Sequence, residues 1–264
     1  MAERTSHCIP SGSAESSEQS FVSAIRSPAS HVRLWLVAII GLVVDLWTKH
    51  WAFSNVDPDT GIVIVRNLAR FQRSLNTGAL FGLGKGWTPV FVVASFLALA
   101  FVLYLFVQSG RERWSLHIAL GLVLAGALGN LHDRIFVIVD VVQYADRQGR
   151  KREPEAGLIN EAKSDDKYLV LENYPERSSR FLIERDRIIR TWRQGVVRDF
   201  VKMEPRIPLG GGRWKPIWPW VYNVADVLLV AGVAILLLNF WRERREMRAA
   251  RAKQEAAASA GKSG

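Results

Sequence analysis

Four long apolar blocks, with the charges held between them, limit this chain more than any other feature. Arg33 to Phe53, Trp87 to Val107, Trp114 to about Leu131 and Trp218 to Trp241 each approach or exceed the roughly 20 residues that cross a bilayer. Backbone polar groups find no water in hydrocarbon, so segments of this kind fold as helices. The chain has 264 residues, is 49% hydrophobic and carries a formal charge of +10. Those averages would also suit a soluble enzyme; the partition into blocks points to a membrane protein.

The positive balance could suggest nucleic acid, but its placement argues for a membrane surface. The densest basic cluster, from Arg242 to Lys253, follows the last apolar block directly, and Arg111-Glu-Arg113 joins blocks two and three. Basic short loops stay on the cytoplasmic side. Both termini and the Arg111 connection are therefore expected in the cytoplasm, with the other two loops outside. The first thirty residues are rich in Ser and Ala and lack an apolar run, which predicts a disordered polar leader and an uncleaved first span. Cys8 is the only cysteine, so no internal disulfide can form.

Polar residues interrupt the apolar blocks near one predicted surface. Asp45 and Lys49 stand one helical turn apart on one face of span one. They can be a self-neutralising interfacial ion pair or a brace for an outer-surface site. The first outer loop, 54–86, opens on the turn signal Asp57-Pro58-Asp59-Thr60-Gly61. Two short strands are expected after it, near Ile62–Leu68 and Phe71–Leu75, followed by the small-residue stretch Asn76 to Gly84. Span three holds Gly121, Gly126 and Gly129, which permit close helix packing, and ends in Gly129-Asn130-Leu131-His132-Asp133-Arg134. Arg134 is placed to clamp a buried carboxylate in bidentate form.

Residues 135–194 form a long, mostly polar insert in which Tyr168–Glu172 and Phe181–Glu184 could pair as a hairpin. Lys202 to Trp220 is turn-rich, with glycines at 210–212, and its Trp214, Trp218 and Trp220 suit a headgroup-level aromatic belt.

Two aspartates carry most of the chemical information: Asp199 in Gly195-Val-Val-Arg-Asp199-Phe200, and Asp226 in Tyr222-Asn223-Val-Ala225-Asp226. A carboxylate in a lipid-embedded helix costs roughly 2.5–3.5 kcal/mol at its centre and less near the interface. A chain that keeps two of them beside one membrane face is expected to use them. Carboxylates that share a proton are the working parts of aspartic proteases. One, ionised, takes a proton from water; the other, protonated, hydrogen-bonds the scissile carbonyl. Which aspartate starts as base is open from sequence. The plainer alternative for Asp226 is a helix N-terminal acid complementing the dipole, worth about 0.3–1 kcal/mol. For Asn76 and Asn223 it is a turn or cap residue.

Other chemistries find little support. There is no His-Glu-x-x-His zinc helix and no Gly-x-Ser-x-Gly elbow, and the five histidines are scattered. Neither a metal nor an organic cofactor is implied. A noncatalytic membrane scaffold or small transporter would spread its polar groups across the membrane depth, whereas here they gather at one side.

Taken in order, Asp45-x-x-Thr48-Lys49, Asn76-x-Gly78-Ala79, Gly129-Asn130-Leu-x-Asp133-Arg134, Gly195-x-Val-x-Asp199-Phe200 and Asn223-x-Ala225-Asp226 strongly resemble the lipoprotein signal peptidase (signal peptidase II) family. The resemblance runs from about Leu34 to Phe240, excluding the insert. It implies a bacterial inner-membrane aspartic endopeptidase, active on the outer side, that removes signal peptides from diacylglyceryl prolipoproteins. Those precursors and membrane lipids would be its partners, without nucleic acid and with no oligomer implied. On that resemblance Asp199 and Asp226 are catalytic. Asn76, Gly78, Asn130, Arg134 and Asn223 line or support the substrate site, and Asp45, Lys49 and Asp133 hold the helices and loop.

Two departures stand out. The insert separates Arg134 from Gly195, which raises Asp140, in Ile138-Val139-Asp140, as a rival for the first catalytic position. No glycine precedes Asp140 by four residues, and no phenylalanine follows it. Val227 stands where the family generally has a small hydroxyl residue.

The expected architecture is an all-α membrane protein of four transmembrane helices, with a small extracytoplasmic β-cradle and an inserted extracytoplasmic loop or subdomain. Its parts would be a cytoplasmic leader (1–30), spans one to three with the outer β loop (31–134), the insert (135–194), the catalytic motifs with span four (195–241), and a basic cytoplasmic tail (242–264).

Overall fold

The computed structural model describes residues 27–78, 88–177, 180–208 and 214–260. Most of the expected leader with Cys8, the 79–84 end of the small-residue stretch, Trp87 and the glycines at 210–212 lie outside the described residues.

Four helices carry the apolar blocks: α1 (Pro28–Asn55), α2 (Thr88–Val107), α3 (Trp114–Phe136) and α4 (Val224–Ala260). Three of them, α1, α3 and α4, are long and apolar enough to cross a membrane, and α2 contributes a shorter apolar stretch, Val92–Val107. The centre of the bundle is α3, the most buried of the three long helices. Leu34 and Ala38 of α1 and Val102 and Phe106 of α2 pack against its Leu120 and Leu124. The outward faces keep Val32, Leu36, Ile39 and Trp47 of α1 and Leu237 and Leu238 of α4 exposed. A stripe of this kind suits lipid tails, since water-facing surfaces rarely carry contiguous apolar patches of that size.

Eleven strands among the described residues correct the all-α expectation. In chain order they are β1 (Ile62–Val65), β2 (Ala69–Asn76), β3 (Ile138–Tyr144), β4 (Glu155–Ile159), β5 (Tyr168–Glu172), β6 (Arg180–Glu184), β7 (Ile188–Gly195), β8 (Val197–Met203), β9 (Arg206–Pro208), β10 (Trp214–Pro216) and β11 (Val221–Tyr222). They form a four-stranded sheet in the order β1-β2-β8-β11, a five-stranded sheet β6-β5-β4-β3-β7, and the pair β9-β10. The four-stranded sheet sits on the end of α1, where Phe200 of β8 packs with Ala52, Phe53 and Val56.

The insert is a five-stranded sheet, a subdomain larger than the single hairpin expected within it. The β5–β6 hairpin pairs as anticipated, Leu169 opposite Ile183 and Leu171 opposite Phe181. Strands β3, β4 and β7 were not foreseen. In β7 the alternation is weak: exposed Ile189, Arg190, Thr191 and Arg193 surround half-buried Ile188 and Trp192, and Arg190 stacks on the Trp192 ring. A sheet with one wet face needs only a weak alternation of this kind, and it disappears among so many charges.

Two helix boundaries also differ. Span four was expected from Trp218, but Pro219 and the short β11 hold the chain extended until Val224. Its helix then runs through the basic tail to Ala260. Helix α3 continues to Phe136, so the Gly129 to Arg134 motif lies within it.

Candidate active site

Every expected site residue lies where the four-stranded sheet meets the bundle. Strand alternation turns Val197 and Asp199 toward one cavity and Arg198 to the opposite side. In the β2–β8 ladder Asn76 is opposite Val197 and Ser74 opposite Asp199, which makes Asn76 and Asp199 diagonal neighbours on one face. Asn76 Nδ2 donates to Asp199 Oδ2 at 2.9 Å. Its own Oδ1 accepts the Gly78 backbone N–H at 2.9 Å, which orients the amide.

Immediately after β11, Asn223 starts α4 with a reciprocal cap. Its Oδ1 accepts the Asp226 N–H at 3.1 Å, and Asp226 Oδ2 accepts the Asn223 N–H at 3.2 Å. Two helix-terminal donors are satisfied as in a capping box, with aspartate in the third helical position. The cap and the functional reading coexist, because Asn223 Nδ2 also donates to Asp199 Oδ1 at 2.6 Å. One residue thus bonds both carboxylates. Asn130 on α3 adds a donor to Asp226 Oδ1 at 2.9 Å.

Beneath this layer lies a fully buried ionic cluster. Asp45, Lys49 and Asp133 are each 0% exposed. Lys49 Nζ sits 2.8 Å from Asp45 Oδ2 and 3.6 Å from Asp133 Oδ2, and donates to Asn130 Oδ1 at 3.1 Å. Asp45 Oδ1 accepts the Ala225 N–H at 2.8 Å, one residue before Asp226. The pair is therefore both an internal neutralisation and a brace for the head of α4. Gly129 makes room for it, since a Cβ there would come within 2.2 Å of Asp45 Oδ2.

The bidentate clamp expected of Arg134 is made by Arg198, a residue the sequence did not single out. Its Nη2 donates to Asp133 Oδ1 at 2.7 Å, and its backbone N–H to Asp133 Oδ2 at 2.9 Å. The available signal was only that strand alternation turns the neighbour of Asp199 the other way. Arg134 lines the cavity, and its Nη2 donates to the Gly78 carbonyl at 2.7 Å.

Asp140 lies elsewhere. On β3 it accepts the Ile159 N–H at 2.9 Å and faces Arg193 at 3.7 Å, so it serves the insert's own sheet. The glycine that Asp140 lacks has a steric meaning at Gly195, where a Cβ would fall 1.7 Å from the Arg134 carbonyl oxygen.

The cavity has a volume of about 650 Å³ and reaches from Asp199 and Asp226 into the space between α2 and α4. Small residues face it there, Ala94, Ser95 and Ala98 from α2 and Ala231 and Ala234 from α4. Trp218, Trp220 and Val227 line it as well. Asp199 is 2% exposed. Burial, then the neighbouring Asp226 charge, push its carboxyl up to about 8, against the opposing pull of the Asn76 and Asn223 amides. Among the described residues no cluster of His, Cys, Asp and Glu could hold a metal ion.

A helix bundle with a carboxylate pair on one cavity at its end is the equipment of a membrane aspartic peptidase. The family model described as signal peptidase (SPase) II matches residues 37–242. A lipoprotein signal peptidase from Rhodopirellula baltica (strain DSM 10527 / NCIMB 13988 / SH1) is 36% identical over 236 residues, 87% of this chain and 81% of the relative. One from Clostridium novyi (strain NT) is 34% identical over 109 residues, 40% of this chain and 74% of the relative. A bacterial membrane enzyme solved by the in meso method shares the fold at a TM-score of 0.50 and 17% identity, covering 79% of this chain and 87% of that one. The chain belongs to the lipoprotein signal peptidase (signal peptidase II) family of aspartic peptidases.

Proposed function

We propose that this protein cleaves the signal peptide from diacylglyceryl prolipoproteins with Asp199 and Asp226 as the catalytic pair. The observation that carries the assignment is Asn223, which donates to Asp199 through its side chain and to Asp226 through its backbone. It holds both carboxylates against one cavity.

Asp199, buried and pushed up to about 8, suits the protonated partner at neutral pH. Asp226 sits in the first turn of α4 and accepts two N–H donors, and the helix dipole there favours an anion. Asp226 is therefore assigned as the base. It takes a proton from water as the oxygen adds to the scissile carbonyl, while Asp199 hydrogen-bonds the developing oxyanion. Collapse of the adduct breaks the C–N bond, and a proton from the pair goes to the departing cysteine nitrogen. Arg134, Asn76, Gly78 and Asn130 complete the site, with Asp45, Lys49 and Asp133 as its support.

Four spans are assigned, with α2 completing the membrane set, the four-stranded sheet as an outer cradle, and the insert beside it. Both termini are cytoplasmic and the pair faces the outer side of the bacterial inner membrane. The small residues of α2 and α4 leave a lateral opening suited to acyl chains and the signal helix. A scaffold or transporter is not favoured, since the ionic groups inside the apolar spans, Asp45, Lys49, Asp133 and Asp226, gather at the cradle end.

The test is cleavage of a diacylglyceryl prolipoprotein by the purified protein and by its Asp140→Asn, Asp199→Asn and Asp226→Asn variants. Loss at 199 and 226, with activity kept at 140, is expected. Loss at 140 with activity kept at 199 overturns the assignment.

A further inference from the structure

The insert does more than occupy space beside the cradle. The penultimate residue of its last strand, β7, is Gln194, which is 8% exposed and adjoins the Asp199 motif. Gln194 Nε2 donates to the Thr77 carbonyl at 3.0 Å, a buried bond bridging insert and cradle. Its Oε1 accepts Trp192 Nε1–H at 2.5 Å, which sets the direction of the carboxamide. Thr77, itself 7% exposed, is the middle of the Asn76-Thr77-Gly78 turn. That turn is otherwise held by Arg134 at the Gly78 carbonyl and by the Asn76 side chain at the Gly78 N–H.

We propose that Gln194 is a positioning residue for the reaction: by holding the Thr77 carbonyl, it fixes the turn that aims Asn76 at Asp199. The insert thus supplies an outer brace to the catalytic pair. The inference rests on the reading of Asp199 as catalytic. Trp192 orients Gln194, Gln194 anchors Thr77, and Asn76 then presents Nδ2 to Asp199 Oδ2.

The pair gives this brace a signature beyond stability. The groups around Asp199 are Asn76 from β2, Asn223 and Asp226 from the head of α4, Arg134 from α3 on the same cavity wall, and Lys49 of α1 acting through space. The Asn76 bond favours the ionised form of Asp199. A loosened Asn76 therefore raises the pH at which Asp199 gives up its proton, and the alkaline limb of activity moves upward.

The experiment measures kcat, KM, the pH profile and thermal stability of the purified full chain on a diacylglyceryl prolipoprotein. Gln194→Leu keeps the size and removes both bonds. It is expected to lower kcat roughly 10- to 100-fold, as displaced catalytic groups do, with KM nearly constant and the alkaline limb at higher pH. Trp192→Phe should move the same quantities in the same direction by less. Should Gln194→Leu fail to fold, Gln194→Glu keeps the Trp192 contact and loses the donor to Thr77, with the same expectation.

Wild-type kcat and an unmoved limb in a folded variant overturn the proposal. So does a loss of kcat that merely follows the loss of folded protein. If Asp199→Asn is inactive while the Gln194 variants behave as wild type, this inference alone fails. If Asp199→Asn stays active, the underlying assignment fails with it.

Discussion

The Asp199→Asn substitution should stabilise the protein at alkaline pH while abolishing cleavage. The unfolded chain ionises this carboxyl near 3.8, whereas the folded site holds it up at about 8. A group raised on folding binds its proton more tightly in the folded state. Its contribution is therefore fully present below the unfolded value and is lost as pH rises toward the folded one. At about 1.4 kcal/mol per pKa unit, the wild-type penalty is small at pH 4 and grows to an upper bound on the order of 5 kcal/mol at pH 8.

Asparagine escapes that penalty but introduces a mismatch. Both oxygens of Asp199 accept amide donors, from Asn223 and Asn76. The new NH2 group can accept from neither, leaving one buried donor unmet at about 1–3 kcal/mol. The two effects have different pH dependences, so they cross. Near pH 4 the variant should melt below wild type; near pH 8 it should melt above it, by up to several kcal/mol on the same balance. Thermal melts of both proteins in one detergent across pH 4–9 provide the assay, with cleavage measured in parallel. Parallel stability curves with no crossing would refute the claim that the fold holds Asp199 protonated.

Three further substitutions probe the support of the site. Lys49→Met removes the cation shared by Asp45 and Asp133, and should destabilise by about 3–5 kcal/mol because buried carboxylates lose a partner; chemical denaturation against wild type checks it. Gly129→Ala drives a methyl into the Asp45 carboxylate and should cost about 1–3 kcal/mol as overpacking does, seen as a lower melting temperature together with reduced activity from a displaced α4. Asn223→Ser keeps a side-chain cap for α4 but shortens the reach to Asp199. Stability should fall by about 1–3 kcal/mol for the lost buried donor while kcat of the folded variant falls at least tenfold in cleavage assays, and wild-type kcat in the folded variant would make Asn223 merely a cap.

What could be read from the sequence followed the range of each signal. The apolar blocks and Asp45–Lys49 are local, so hydrophobic runs and helical spacing revealed them. Two of the four cradle strands, β1 and β2, showed because Ile62–Val65 is β-branched and follows a turn signal, whereas β8 and β11 did not. The tail helix past Trp241 was read as a basic tail because its charges conceal a continuous helical run. Arg198 and Gln194 were invisible for another reason. Each acts across the fold, on Asp133 and on the Thr77 carbonyl, and a polar residue on a short strand does not announce which distant group it meets. The insert's strands were missed because alternation in a half-wet sheet is faint. They form only because antiparallel neighbours bury Val139, Val141 and Val196 together.

The insert also shows how a site built from widely separated segments survives a large interruption. Its two ends are stitched together where they leave the core: Ile138 lies opposite Gly195, and the Val196 N–H bonds the Val137 carbonyl at 3.0 Å. Gly195 then sits against Arg134, the last residue before the insert. The core accordingly sees a closed loop, whatever lies within it. Closing a flexible loop costs only about 0.6 kcal/mol more for each doubling of its length, and the insert's own sheet removes much of that flexibility. The constraint falls on the junction, where Gly195 must lack a side chain and Gln194 must reach Thr77. For this reason the interruption can stand between Arg134 and Asp199 without separating them in space, and its last residues can be recruited to the site it interrupts.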